Sequence, residues 1–254
     1  MRFPDQLVKR KLDRFQGPLK IFPLARRRTS GRRPRPLRGG RLADVSIARA
    51  GRTRKRTRIQ EANEGRILDA ALEVFSTYGL RGATVDQIAS VAGMTKPNLL
   101  YYFRRKDDIY LAVLQRTLEM WLTPLEELSA DGDPTTEITA YIDRKLELSR
   151  DNPKASRLFA MEVMQGAPVL DTVLKGRLKR LVDEKAAVIA GWSAAGRLKV
   201  VDPYHLIFMI WATTQHYADF DMQVRAVLGR QAAGNDHFIR ARTTLGQVFL
   251  KGIV

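Results

Sequence analysis

From Glu61 onward, apolar residues recur every three or four positions, the spacing of one face of an α-helix, and no stretch alternates as a half-buried strand does. Ile67, Leu68, Ala71, Leu72, Val74 and Phe75 form the first stripe, which Tyr78-Gly79 ends. Lys106-Asp107-Asp108 opens a long helix through Ile109, Val113, Leu114, Leu118 and Trp121, and Pro124 is expected to bend or break it. After the Asp131-Gly132-Asp133-Pro134 loop a helix covers 137–149. Another starts at Asp151-Asn152-Pro153, runs through Leu158, Phe159, Met161 and Met164, and stops near Gly166-Ala167-Pro168. A long helix over 169–195 ends near Gly196, and Asp202-Pro203 closes the following loop. Segment 204–220 carries Leu206, Ile207, Phe208, Met209, Ile210 and Trp211, too many apolar sides for one core contact, which predicts a helix between the core and a partner. A last helix spans 237–253. The expectation is an all-α chain of about nine helices, three in a small N-terminal unit and the rest in a larger bundle.

Residues 83–103 hold the most specific pattern. Thr84 and Gln87 are spaced as a capping box, and Val85, Ile88, Ala89 and Ala92 then share one helical face. Gly93 allows the left-handed backbone that ends this helix, Thr95 is placed to cap the next, and Pro97 is tolerated in its first turn. In that second helix Leu99, Leu100 and Phe103 anchor inward while Lys96, Asn98 and Tyr101 face out. The pair reads as a helix-turn-helix, whose second helix enters a DNA major groove, where an amine, an amide and a phenol meet base edges and phosphates. The competing reading is an ordinary helical hairpin in an all-α core. The candidate DNA-binding set is Thr84, Thr95, Lys96, Asn98, Leu99, Tyr101, Tyr102 and Lys106, with the N-terminus of the Lys106 helix adding a phosphate site.

Charge divides the chain. The formal net charge is +17, and residues 1–60 hold 20 of the 44 Lys and Arg against 3 of the 27 Asp and Glu. The remainder is neutral. The leader is rich in Arg, Pro and Gly, with Arg26-Arg27-Arg28 and Arg32-Arg33-Pro34-Arg35-Pro36, a composition that predicts disorder. It reads as an arm along phosphates or in a minor groove, as an acidic-poor targeting segment, or as an over-extended start with the true one near Leu42 or Val45. The run Arg52-Thr53-Arg54-Lys55-Arg56-Thr57-Arg58 precedes the first helix and suits phosphate contact. The expected boundaries are a leader over 1–60, a DNA-binding unit over 61–106 and a ligand-binding and dimerisation unit over 107–254.

With no cysteine, the chain has no disulfide framework, thiolate zinc site or cysteine nucleophile. His205, His216 and His237 lack close metal-ligand spacing and read as satisfied surface or core residues, so no metal and no cofactor is expected. No apolar run approaches the ~20 residues that span a bilayer, so a soluble, cytoplasmic protein without a membrane partner is expected.

Ile67-Leu68-Asp69-Ala70-Ala71-Leu72, Phe75, Tyr78-Gly79, Thr84, Ile88-Ala89, Ala92-Gly93, Leu100-Tyr101-Tyr102-Phe103 and Lys106 resemble the tetracycline-repressor (TetR-type) family of bacterial transcription regulators. The resemblance covers about 62–254 and implies an all-α homodimer, a reading head for near-palindromic double-stranded operator DNA, and a C-terminal domain that binds a small molecule. The last two long helices would pack against their copies.

The C-terminal half resembles a narrower group, repressors of pyrimidine utilisation that sense uracil and thymine. It does so through Ala155-Ser156-Arg157-Leu158-Phe159, Gly166-Ala167-Pro168, Ile189-Ala190-Gly191-Trp192 and Gln215-His216-Tyr217-Ala218-Asp219-Phe220, among other stretches. That resemblance implies Trp121, Trp211 and Gln215 as ligand contacts, with Ser156, Arg157, Met161 and Glu162 as weaker candidates. The chemistry agrees: indole faces stack on a flat pyrimidinedione, and an amide both donates to its carbonyl and accepts from its ring N–H. Trp211 and Gln215 lie four apart on one helix face. The implied function is a repressor released from DNA by uracil or thymine. The alternatives are a regulator sensing a purine-like or other aromatic ligand, an enzyme acting on pyrimidines, and a constitutive architectural DNA-binder driven by the leader.

Overall fold

A computed structural model describes residues 58–253, so the expectations for residues 1–57 lie outside the described part. Among the described residues there is no strand, and the chain forms ten helices. They are α1 (Arg58–Gly82), α2 (Val85–Val91), α3 (Lys96–Tyr102), α4 (Lys106–Glu126), α5 (Pro134–Asp151) and α6 (Pro153–Met164). α7 comprises Asp171–Val173, a π-helical turn Leu174–Leu178, and Lys179–Ala194; α8 (Pro203–Asp219), α9 (Asp221–Leu228) and α10 (Asp236–Ile253) follow. The first helix starts at Arg58, so the end of the expected basic leader is already helical. The unforeseen element is α9, which a 3₁₀ turn over Gly229–Ala232 joins to α10.

Helix ends follow local chemistry. Asp133 caps α5 by accepting from Thr136 N–H at 2.9 Å, and Asp202 caps α8 by accepting from His205 N–H at 3.0 Å; a proline follows each cap in the first turn. Pro124 lies one turn from the end of α4, which runs through it. Tyr78-Gly79 does break α1: Gly79 sits at φ 65°, where a residue with a Cβ is strained.

Two apolar cores share α4. Ile67, Val74, Phe75, Ile88 and Leu99 of the first three helices close over Ile109, Val113 and Leu114 of its N-terminal half. Its C-terminal half gives Leu118, Leu122 and Leu125 to the second core, with Ile138 and Ile142 of α5, Ile189 and Trp192 of α7, Ile207 and Ile210 of α8, and Phe238 of α10. One helix, α4, which starts at Lys106, therefore contributes to both cores. Leu158 in the middle of α6, and Ala167 and Leu170 beyond its end, also belong to the first core.

Candidate functional site

The first site is the surface of α2 and α3. Thr84 caps α2 as a full capping box: its hydroxyl accepts from Gln87 N–H at 3.2 Å, and Thr84 N–H donates to Gln87 Oε1 at 2.8 Å. Gly93 turns the chain at φ 64°, and a Cβ there would meet the Arg66 guanidinium at 3.3 Å. That guanidinium ties α1 to the end of α2 through Ala92 O at 2.7 Å. Thr95 caps α3, accepting from Asn98 N–H at 3.4 Å.

The expected outward face is present: Lys96, Asn98 and Tyr101 are exposed, and Tyr101 stands 73% exposed with its ring edge-on to Tyr102 at 5.2 Å. Lys96 pairs with the exposed Asp86 carboxylate at 2.8 Å. Three members of the candidate DNA set have other work. Leu99 is 0% exposed, so its side chain is the anchor of α3 and is no DNA contact. Tyr102 accepts from Asn63 Nδ2 at 2.8 Å, which locks α3 to α1. Lys106 donates to Ala83 O at 2.8 Å, half-buried at the root of α4.

The second site is a cavity of about 510 Å³ inside the larger bundle. Trp121 of α4 and Trp211 and Gln215 of α8 line it together, as expected. Trp211 Nε1 donates to the Tyr141 hydroxyl at 2.5 Å, so its ring is fixed and its polar atom is engaged. Trp121 Nε1 is buried with no hydrogen-bond partner among the described residues, a free donor beside the cavity. Leu118, Leu122, Phe159, Leu174 and Leu178 supply apolar wall, and the last two bracket the π turn of α7.

Ser156 does not line the cavity. It is fully buried in α6, and its hydroxyl donates to Asp219 Oδ1 at 2.5 Å. Asp219 does line it, as does Lys145 of α5, whose ammonium sits 3.8 Å from the centroid of the Trp121 ring. Burial holds the Lys145 ammonium well below the ordinary lysine range, partly offset by the Asp219 carboxylate. Burial likewise raises Asp219, opposed by the Ser156 hydrogen bond and the charges of Lys145 and Arg157. Arg157 lines the cavity and donates to Ala218 O at 3.2 Å. Met161 lines it too, whereas Glu162 is buried behind it, accepting from Tyr110 and from Val169 N–H.

Lys145 and Asp219 were missed from sequence, although Lys145 occupies the buried stripe of α5 with Ile138, Tyr141, Ile142 and Leu146. A charge at a core position was the available signal. His205 and His216 are exposed on α8; His237 is buried, but neither ring nitrogen has a partner among the described residues, so it is not the satisfied histidine expected. No group of three metal-ligating side chains occurs among the described residues, and no helix there is long and apolar enough to cross a membrane.

Residues 67–113 match bacterial regulatory proteins of the tetR family, and residues 114–254 match the C-terminal region of the YcdC-like protein family. The chain is 49% identical over 201 residues to the HTH-type transcriptional regulator RutR of Escherichia coli K12, covering 79% of this chain and 95% of that protein. An HTH-type transcriptional repressor of Streptomyces coelicolor is 26% identical over 177 residues, covering 69% of this chain and 88% of the repressor. Among solved structures, AibR in complex with isovaleryl coenzyme A and operator DNA shares the fold, with a TM-score of 0.55 at 16% identity over 73% of this chain and 97% of that one. These matches identify the chain as a member of the tetR family of bacterial regulatory proteins, a DNA-binding transcriptional regulator and not an enzyme.

Proposed function

We propose that this regulator represses genes of pyrimidine utilisation as a cytoplasmic homodimer and leaves its near-palindromic operator when uracil or thymine fills the cavity. The observation that carries this reading is the convergence of Trp121, Trp211 and Gln215 on one chamber. Two indoles suit the faces of a flat ring, and the Gln215 amide suits its alternating edge of carbonyls and N–H groups. The 49% identity to RutR, over 79% of this chain and 95% of that protein, adds support. Two reading heads on one dimer suit two half-sites about one helical turn apart.

Release follows from α4, which carries Trp121 in the chamber wall and is rooted in the reading head. Drawing Trp121 against Trp211 changes the spacing of the two heads. To empty the operator, the effector must favour the released state by ~100-fold or more in affinity.

The test is selection of an operator from random double-stranded DNA with the full chain, followed by titration with uracil, thymine and cytosine. Release by the first two at micromolar levels, with cytosine inert, is the expected result. Operator binding unmoved by all three discards the effector. The chamber volume of about 510 Å³ exceeds what a single pyrimidine ring fills, which favours a purine-like or larger aromatic effector as the second reading. Xanthine and its relatives belong in the same titration.

A further inference from the structure

We infer that Lys145 and Asp219 read the effector's hydrogen-bonding edge, the ammonium donating to a carbonyl and the carboxylate accepting from the adjacent ring N–H, so that the cavity selects cyclic imides over aminopyrimidines. This rests on the pyrimidine reading above and names the part of the site that discriminates.

Trp211, Gln215 and Asp219 lie at successive four-residue steps along α8 and all line the chamber. One stripe of a single helix therefore presents an aromatic face, an amide and a carboxylate in order. Ser156, buried in α6, donates to Oδ1 of Asp219 at 2.5 Å and fixes the plane of the carboxylate. Lys145 enters from α5 on another wall and is 1% exposed. Its partners among the described residues are the face of Trp121 and, at longer range, the charge of Asp219. A buried ammonium is stable only when its N–H groups find acceptors, and neither an aromatic face nor a remote charge accepts as an oxygen does. A ligand carbonyl supplies that acceptor from inside the chamber.

On an imide edge, a carbonyl and the N–H beside it complement the Lys145 donor and the Asp219 acceptor. Cytosine puts an amino group where uracil has a carbonyl, and a bare ring nitrogen where uracil has an N–H. Its donor then meets donors, and its lone pair meets a carboxylate. Both mismatches leave buried polar groups unpaired, the situation in which a hydrogen-bonding site discriminates strongly.

The test is direct binding of uracil and cytosine to the full chain and to Asp219→Asn, Lys145→Gln and Ser156→Ala, by calorimetry, with a melting curve on each to establish folding. Asp219→Asn is expected to weaken uracil about 10- to 100-fold, the range for a hydrogen bond to a charged group. It should also narrow the preference for uracil over cytosine, because an amide can turn either its oxygen or its N–H₂ inward. Lys145→Gln is expected to lose uracil affinity similarly. Ser156→Ala, which acts only through positioning Asp219, is expected to narrow the preference with a smaller loss. A folded Asp219→Asn or Ser156→Ala chain that keeps the original uracil-to-cytosine ratio overturns the role of the pair while the pyrimidine reading stands. An unmodified chain that binds neither uracil nor, in a parallel titration, thymine overturns both.

Discussion

The Tyr110 hydroxyl donates to Glu162 Oε2 at 3.2 Å across the buried junction of α4 and α6. The other carboxylate oxygen accepts from Val169 N–H at 2.7 Å, pinning the turn in which Ala167 adopts a left-handed φ of 53°. Next to Glu162 on α6, Met161 and Val163 line the cavity of the larger bundle, while Tyr110 packs edge-on against Phe75 of the reading head at 5.0 Å. One hydrogen bond thus joins a helix that lines the cavity to the helix rooted in the reading head.

Tyr110→Phe removes that link with little change of shape. It leaves a buried carboxylate oxygen short of a donor, a loss of about 1–3 kcal/mol in stability. The expected functional result is an uncoupled regulator: uracil binds, but more is needed to release a given fraction of operator DNA. Calorimetry set against a DNA-release titration on the same variant checks this. An unchanged release curve would place the coupling elsewhere.

Tyr101 is expected to contribute to operator affinity without contributing to the fold. Its exposed ring leaves the core untouched when removed, so Tyr101→Ala should alter stability by no more than about 0.5 kcal/mol. Specific DNA binding should fall by about 10-fold or more, the scale of a single base contact. Thr95→Ala, in contrast, loses the cap of α3 and lowers stability by about 1 kcal/mol along with DNA affinity. Melting curves and DNA titrations on the two variants separate a contact from a cap.

The reading head was legible because its signals are local. Thr84 with Gln87, Gly93, and Thr95 with Pro97 each act on backbone within three or four residues, and each does in the fold what its spacing dictates. Leu99, placed both among inward anchors and among DNA contacts by sequence, is resolved by burial alone. Trp121, Trp211 and Gln215 were legible only through resemblance, since α4 and α8 meet by tertiary packing that no spacing encodes. The Ser156–Asp219 bond joins residues 63 positions apart. α9 escaped notice because Asp221–Leu228 is a short helix with Val224 its only buried residue, too little apolar surface to make a stripe.

Lys145 makes stability depend on pH in a predictable sense. Its folded form is held well below 10.5, its ordinary value, by burial. Between the folded and ordinary values the unfolded chain binds the extra proton, so this group makes the fold more stable as pH rises. Asp219 acts oppositely at the acid end: its folded form lies above 3.8, so its contribution is present below that value and fades as pH rises through the raised one. Lys145→Met replaces the ammonium with an apolar chain of similar length. It is expected to raise stability at neutral pH by about 1–2 kcal/mol and to flatten the rise toward alkaline pH. Urea melts of both chains across neutral to alkaline pH check this, and parallel curves would mean that Lys145 does not titrate in that range.

The apolar residues that α8 leaves uncovered are expected to join two copies of the chain. Phe208 is 47% exposed, with Met209 beside it equally so, and Ile239 of α10 is 67% exposed. Single exposed apolar side chains are ordinary, but a helix apolar on this many sides has a second surface to bury. Phe208 also packs on the cavity tryptophan, with ring centroids of Phe208 and Trp211 5.7 Å apart. On that expectation a residue of the seam touches a residue that lines the cavity, and a shift of Trp211 is predicted to reach the partner through one ring contact. Phe208→Asp sets a charge in that seam. Light scattering should find half the mass of the unmodified protein, and operator affinity should fall by about 100-fold or more as the two half-sites lose their linkage. A variant that keeps its mass but loses the release response would assign Phe208 to signalling between Trp211 and the seam, with association held by α10.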